Sequence, residues 1–141
     1  MLAAKSSKIK LFAGNRLDNL SPFRAFLNKG RASMAKHQTD LDIDAEYLRQ
    51  VWVQQNGICP YTGIKMLLPP SSSKYHKINS LKKASLDRID SRRGYVRGNV
   101  EFVCLAINYA KNKHTKNEML DFINDVLINR NTLGITQSQP T

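Results

Sequence analysis

Apolar residues fall at helical spacing in three stretches of the chain and alternate in two shorter ones. Behind Ser21-Pro22, where proline suits the first turn of a helix, Phe23, Phe26 and Leu27 line one face and predict a short amphipathic helix. Asp42, Asp44 and Glu46 then place acidic groups where a helix N-terminus favours them. Leu48, Val51 and Trp52 form the apolar stripe, and Gly57 suits the position just past the end. The third stretch, Met119, Leu120, Phe122, Ile123, Val126 and Leu127, follows Thr115-Lys116-Asn117-Glu118, which matches a capping box. It predicts a helix that packs on the rest and closes the fold.

The alternating runs are Ser85 to Ile89 and Val100 to Val103, which bracket a turn from Gly94 to Gly98 and so predict a two-stranded hairpin. The second run passes into a helix through Leu105 and Ile107. Upstream, Ile58-Cys59-Pro60-Tyr61-Thr62-Gly63-Ile64 reads as a tight turn between short extended pieces. Pro69-Pro70-Ser71-Ser72-Ser73 and the polar run to Asn79 read as a surface loop, because such composition buries too little to order itself. There is no internal repeat. The expected architecture is α+β: one domain over 41–130, a basic N-terminal arm with its helix over 1–40, and a flexible tail over 131–141.

Charge narrows the partners. The 141 residues carry a formal net charge of +11, which favours a polyanion, because each Lys or Arg near a phosphate releases condensed counterions. The excess sits in two blocks: 1–40 and 71–100 each hold eight basic and two acidic side chains. A solvated basic surface is the plain alternative. No stretch approaches the roughly 20 apolar residues of a membrane span, and the N-terminus lacks the apolar core of a secretory signal, so an intracellular, soluble protein is expected. Cys59 and Cys104 allow at most one disulfide and cannot by themselves hold a structural zinc ion.

The segment richest in chemistry runs Ser85-Leu-Asp87-Arg88-Ile-Asp90, then Gly94-Tyr95 and Gly98-Asn99-Val100, then Val103-Cys104-Leu-Ala-Ile107-Asn108-Tyr-Ala-Lys111. It resembles the HNH (ββα-metal, His-Me finger) endonucleases. These commonly run Asp-His-Ile, an Asn-containing loop, then Cys-x-x-Cys-Asn-x-x-Lys at the head of a helix. Asn99 and Asn108 lie nine residues apart, a spacing seen between the corresponding asparagines of that family. The segment Gln55 to Gly63 looks like the knuckle that often precedes the finger, so the resemblance covers roughly residues 44 to 113. It implies a two-stranded hairpin plus helix embedded in flanking helices, and phosphodiester hydrolysis on DNA.

On that reading Asp87 and Asn108 supply oxygen ligands to a hard divalent cation, Mg2+ or Mn2+, which keeps open positions for a phosphate oxygen and the leaving 3′ oxygen. The resemblance makes Asn99 the residue that holds the connecting loop; alone it would pass for an ordinary turn asparagine. The catalytic set is then Asp87, Arg88, Asn99 and Asn108. Lys82, Lys83, Arg92, Arg93, Arg97, Lys111 and Lys113 are the expected phosphate-positioning cations, with exposed turn charges as the bland reading. Asp90 reads as a turn residue in preference to a supporting carboxylate.

Two departures from the family pattern matter. The second ligand of each zinc knuckle is missing, Thr62 and Ile107 standing in those places, so a structural zinc is not expected and the two thiols should be buried or adjacent as small apolar groups. Arg88 stands where the family has the histidine that activates water, and arginine stays protonated at any working pH. Three outcomes follow in order of preference: Arg88 clamps the scissile phosphate while another group or the cation supplies hydroxide; a displaced histidine, His76 or His114, is the base; or the domain binds DNA without cutting. Each of those histidines, like His37, reads first as a solvated loop residue. The leading hypothesis is an endonuclease, with pairing of two copies left open. The alternative is a non-catalytic DNA-binding module, and an RNA-binding protein ranks last for want of a stacking-rich signature.

Overall fold

The computed structural model describes residues 17–37 and 42–134; the start of the expected basic arm (1–16) and the end of the expected tail (135–141) lie outside the described residues. The elements are α1 (Ser21–Arg24), α2 (Leu27–His37), α3 (Ala45–Gln54), α4 (Ser72–Tyr75), β1 (Ala84–Arg88), β2 (Val100–Cys104), α5 (Leu105–Lys111) and α6 (Lys116–Thr132). The protein is thus mixed α+β, with the two strands paired antiparallel in the register Leu86 to Phe102 and Asp87 to Glu101. None of the described helices is long and apolar enough to cross a membrane.

Phe102, fully buried on β2, is the hub of the core. Phe23, Phe26 and Trp52 meet its ring edge-on with centroids 6.1, 5.1 and 5.4 Å away. The single helix expected around Phe23 is therefore two, α1 and α2, and their apolar side chains join the same core as the hairpin. The outer edge of β2 is closed by one side chain. Gln55, at the end of α3, accepts from the Phe102 amide and donates to the Phe102 carbonyl, both at 2.8 Å, doing for that edge what a third strand would. This fastens α3 to the hairpin. Gly57, at φ 66°, then turns the chain where a Cβ would lie 2.9 Å from the Trp52 ring.

The expected Ser/Pro-rich loop contains one helical turn, α4, and its single aromatic explains why it is ordered. Tyr75 packs edge-on to Phe26 at 5.5 Å and donates to the Ala84 carbonyl at 3.1 Å. The capping box of α6 forms as its sequence suggests, with the Glu118 amide donating to Thr115 Oγ1 at 3.2 Å and the Thr115 amide to Glu118 Oε2 at 2.7 Å. Only the first part of α6 packs, through Met119, Leu120 and Ile123; Phe122, Val126, Leu127 and Ile128 stay exposed.

Candidate active site

Strand alternation places Ser85 and Asp87 on one face of β1, and the three-residue step along α5 places Asn108 and Lys111 opposite them. Two contacts join the faces. The Asn108 side-chain amide Nδ2 donates to Ser85 Oγ at 2.6 Å and to the Leu86 carbonyl at 3.3 Å. Because a carbonyl can only accept, the nitrogen is committed there, and the Asn108 Oδ1 oxygen is left for the cleft. Lys111, with no exposed surface, donates to Asp87 Oδ2 at 2.7 Å and to the Arg88 carbonyl at 2.6 Å. Asp87 Oδ1 has no hydrogen-bond partner among the described residues.

Sequence reasoning gave no role to Ser85 and missed Lys29. Lys29, on α2, donates to Ser85 Oγ at 3.1 Å and approaches the Leu86 carbonyl at 3.4 Å, so Ser85 receives two N–H donors and fixes the orientation of Asn108. Burial pushes the Lys29 ammonium below its usual range, against the attraction of Asp87 and with the repulsion of Lys83. A partial signal existed: Ser85 lies two residues from Asp87, and Lys29 three residues beyond the apolar Phe26. Nothing in spacing ties Lys29 to a strand more than 50 residues later.

An open polar cleft of about 300 Å³ gathers Asp87, Arg88, Tyr95, Asn108, Tyr109 and Asn112. Arg88 Nη1 approaches the Arg93 carbonyl at 3.4 Å, and its guanidinium lies 5.4 Å from the centre of the Tyr95 ring. Burial raises the Tyr95 hydroxyl above its usual range, with Arg88 opposing and Asp87 adding to the shift. Among the described residues no histidine lines this cleft: His76 belongs to a neighbouring one, and His114 to a third beside Glu118 and Phe122.

Asn99 is 1% exposed and pins the loop between the strands. Its Oδ1 accepts from the Asp90 amide at 2.9 Å, and its Nδ2 donates to the carbonyls of Asp90 at 3.1 Å and Gly94 at 2.9 Å. Asn99→Ala should therefore cost about 2–3 kcal/mol, because buried backbone groups lose their partners. A lowered urea midpoint at unchanged slope is the expected result. Asp90 itself turns to Arg92, whose side chain and amide hold its carboxyl down at about 2.

The basic residues divide. Lys111 and Lys83, expected to face DNA, are buried: Lys111 by its ion pair with Asp87, and Lys83 by donating to the Tyr75 carbonyl at 3.2 Å with its ammonium 4.2 Å from the centre of the Tyr75 ring. Arg97 is exposed but is spent on the segment leading into α3, donating to the Asp42 carbonyl at 2.8 Å and pairing with Asp44 at 3.4 Å. Lys82, Arg92, Arg93 and Lys113 are exposed. Arg92 and Lys113 line a cleft of about 400 Å³ that shares Ser91 with the central one.

Cys59 and Cys104 are buried free thiols, the Cys104 amide donating to Cys59 Sγ at 3.4 Å. Burial and the neighbouring Cys59 sulfur push the Cys104 thiol up to about 11. Thr62 Oγ1 lies 4.0 Å from Cys104 Sγ. Among the described residues no group of three or more His, Cys, Asp or Glu side chains gathers as a metal site. What Asp87 and Asn108 offer is one carboxylate oxygen and one amide oxygen at the same cleft. That pair fits a hard cation that keeps most of its water and draws further negative charge from a substrate. No family model matches this chain, and no curated protein or solved structure matches it either.

Proposed function

We propose that this protein is a metal-dependent DNA endonuclease that hydrolyses phosphodiester bonds at a ββα finger of HNH type. The observation that carries the reading is the meeting of Asp87 on β1 with Asn108 on α5, each with an oxygen left for a cleft that also holds Arg88. A divalent cation held there, Mg2+ or Mn2+, would stabilise the charge that builds on phosphate and on the leaving 3′ oxygen as water attacks phosphorus. The chain's own groups do the rest. Lys111 holds the Asp87 carboxylate in place, Ser85 and Lys29 hold the Asn108 amide, and Asn99 holds the loop that carries Arg92 and Arg93. Arg88 donates to non-bridging phosphate oxygens, a task its fixed charge and forked donors suit, and it takes no proton.

Single-turnover nicking by Arg88 variants tests that assignment. Arg88→Ala should slow cleavage about 10²-fold or more, the scale lost with one preorganised electrostatic contact, and Arg88→Lys should recover only part. At saturating DNA, His76→Ala and His114→Ala should cut at the unmutated single-turnover rate, since neither side chain lines the central cleft. A dead His76 or His114 variant beside an active Arg88→Ala would make that histidine the base.

A second reading, a DNA-binding module that does not cut, is favoured by one specific observation: the cleft holds Arg88 where the resemblance calls for histidine, and none of the described histidines replaces it. Both readings have DNA as partner and use the exposed cations Lys82, Arg92, Arg93 and Lys113. They part only on whether a strand is broken.

A further inference from the structure

Adjoining the central cleft, and separate from the one lined by Arg92 and Lys113, lies another cleft of about 420 Å³, and Tyr109 lines both it and the central cleft. Its wall is set by backbone bonds at the head of α5. The Leu105 amide donates to the Lys83 carbonyl at 2.9 Å and the Ala106 amide to the Leu81 carbonyl at 3.2 Å, which brings Leu81 beside Leu105 and Tyr109, one helical turn apart. Tyr109 is 72% exposed and Leu81 68%. Two large apolar side chains thus stand uncovered at the rim of this cleft, with His76, Asn79 and Ser80 on the same wall. The core explains neither, since neither packs into it.

An exposed aromatic ring beside a leucine, with hydrogen-bonding groups in the adjoining cleft, suits the face and edge of a nucleobase. We infer that Tyr109, backed by Leu81, is a stacking platform for the base of a nucleotide flanking the scissile phosphate. The inference rests on the endonuclease reading and deepens it. A strand whose phosphate lies at Arg88 has the cleft of Arg92 and Lys113 within reach, since it shares Ser91 with the central cleft, and the Tyr109 shelf within reach, since Tyr109 lines the central cleft too. A base can lie on Tyr109 only when it is unstacked from its neighbour, so the site favours single-stranded or distorted DNA next to the cut.

A double-mutant cycle between protein and DNA tests this with the full chain in EDTA, where binding is read without cleavage. Single-stranded oligonucleotides carry one abasic residue, moved stepwise across the site, and anisotropy gives the dissociation constant for unmutated protein, Tyr109→Phe and Tyr109→Ala. Tyr109→Ala should weaken binding to intact DNA by about 5- to 150-fold, while Tyr109→Phe stays within about twofold. At one abasic position the unmutated protein should lose the same factor and Tyr109→Ala should lose nothing more. Strictly additive losses at every position, with normal nicking of plasmid, would overturn the platform and leave the nuclease intact. Unchanged DNA binding by Tyr109→Ala, with a change in self-association instead, would assign the shelf to a protein contact and overturn it too. Absence of both binding and nicking would remove the endonuclease reading itself.

Discussion

Lys111→Met should lower the unfolding free energy by about 3–5 kcal/mol, the loss found when one partner of a buried ion pair is removed. The side chain has no exposed surface, and without it the Asp87 carboxylate and the Arg88 carbonyl both lose a donor in the interior. Methionine fills most of the volume, so the loss reports charge more than packing. Asp87→Asn should also destabilise. A double variant, Lys111→Met with Asp87→Leu, should recover much of the loss, because two well-packed apolar groups replace a pair that cost desolvation to bury. A lysine on a DNA-facing surface behaves otherwise: its removal changes stability by less than about 0.5 kcal/mol and lowers the salt slope of binding by about one. Urea unfolding and a salt series on the same preparations separate the two cases.

Asn108→Ala should slow strand cleavage by about 10²- to 10³-fold while leaving DNA affinity within a few-fold, since it removes an oxygen aimed at the cleft and no exposed cation. Asp87→Asn should match or exceed that loss. For Asp87 the cleavage rate has to be read below the unfolding transition, because the substitution also breaks the pair with Lys111. Nicking assays beside gel shifts, with circular dichroism on each protein, make the comparison. Either variant cutting at the unmutated rate removes that residue from the ligand set.

Much of the hairpin and the helices around it was legible because local rules govern them. Alternation in Ser85 to Ile89 and Val100 to Val103 marks the hairpin; the observed β1 is shifted by one residue toward the N-terminus and β2 is one residue longer. The capping residues at Thr115 and Glu118, and the acidic start and glycine end around α3, are short-range signals with short-range causes. Contacts distant in sequence were not legible. Lys83 and Lys111 look like surface charges in the sequence, because burial of a lysine depends on finding a carboxylate or carbonyl that only the folded chain supplies. Tyr75 lies in a run of polar residues whose composition predicts a loop, and one aromatic ring against Phe26 outweighs that average. The reach of Lys29 to Ser85 likewise depends on how α2 lies on the core, which no periodicity encodes. On α6 the apolar pattern continues past Ile123 though the packing does not, and Val126, Leu127 and Ile128 remain exposed.

The endonuclease assignment is tested most directly by incubating the full chain with supercoiled plasmid in Mg2+ or Mn2+ and, in parallel, in EDTA. Relaxed circles should appear with the cation and not in EDTA, and they should fail to appear with Asn108→Ala at the same protein concentration. Plasmid that is bound, as shown by a salt-sensitive gel shift, yet stays supercoiled in both cations would contradict the account and make the protein a DNA-binding module.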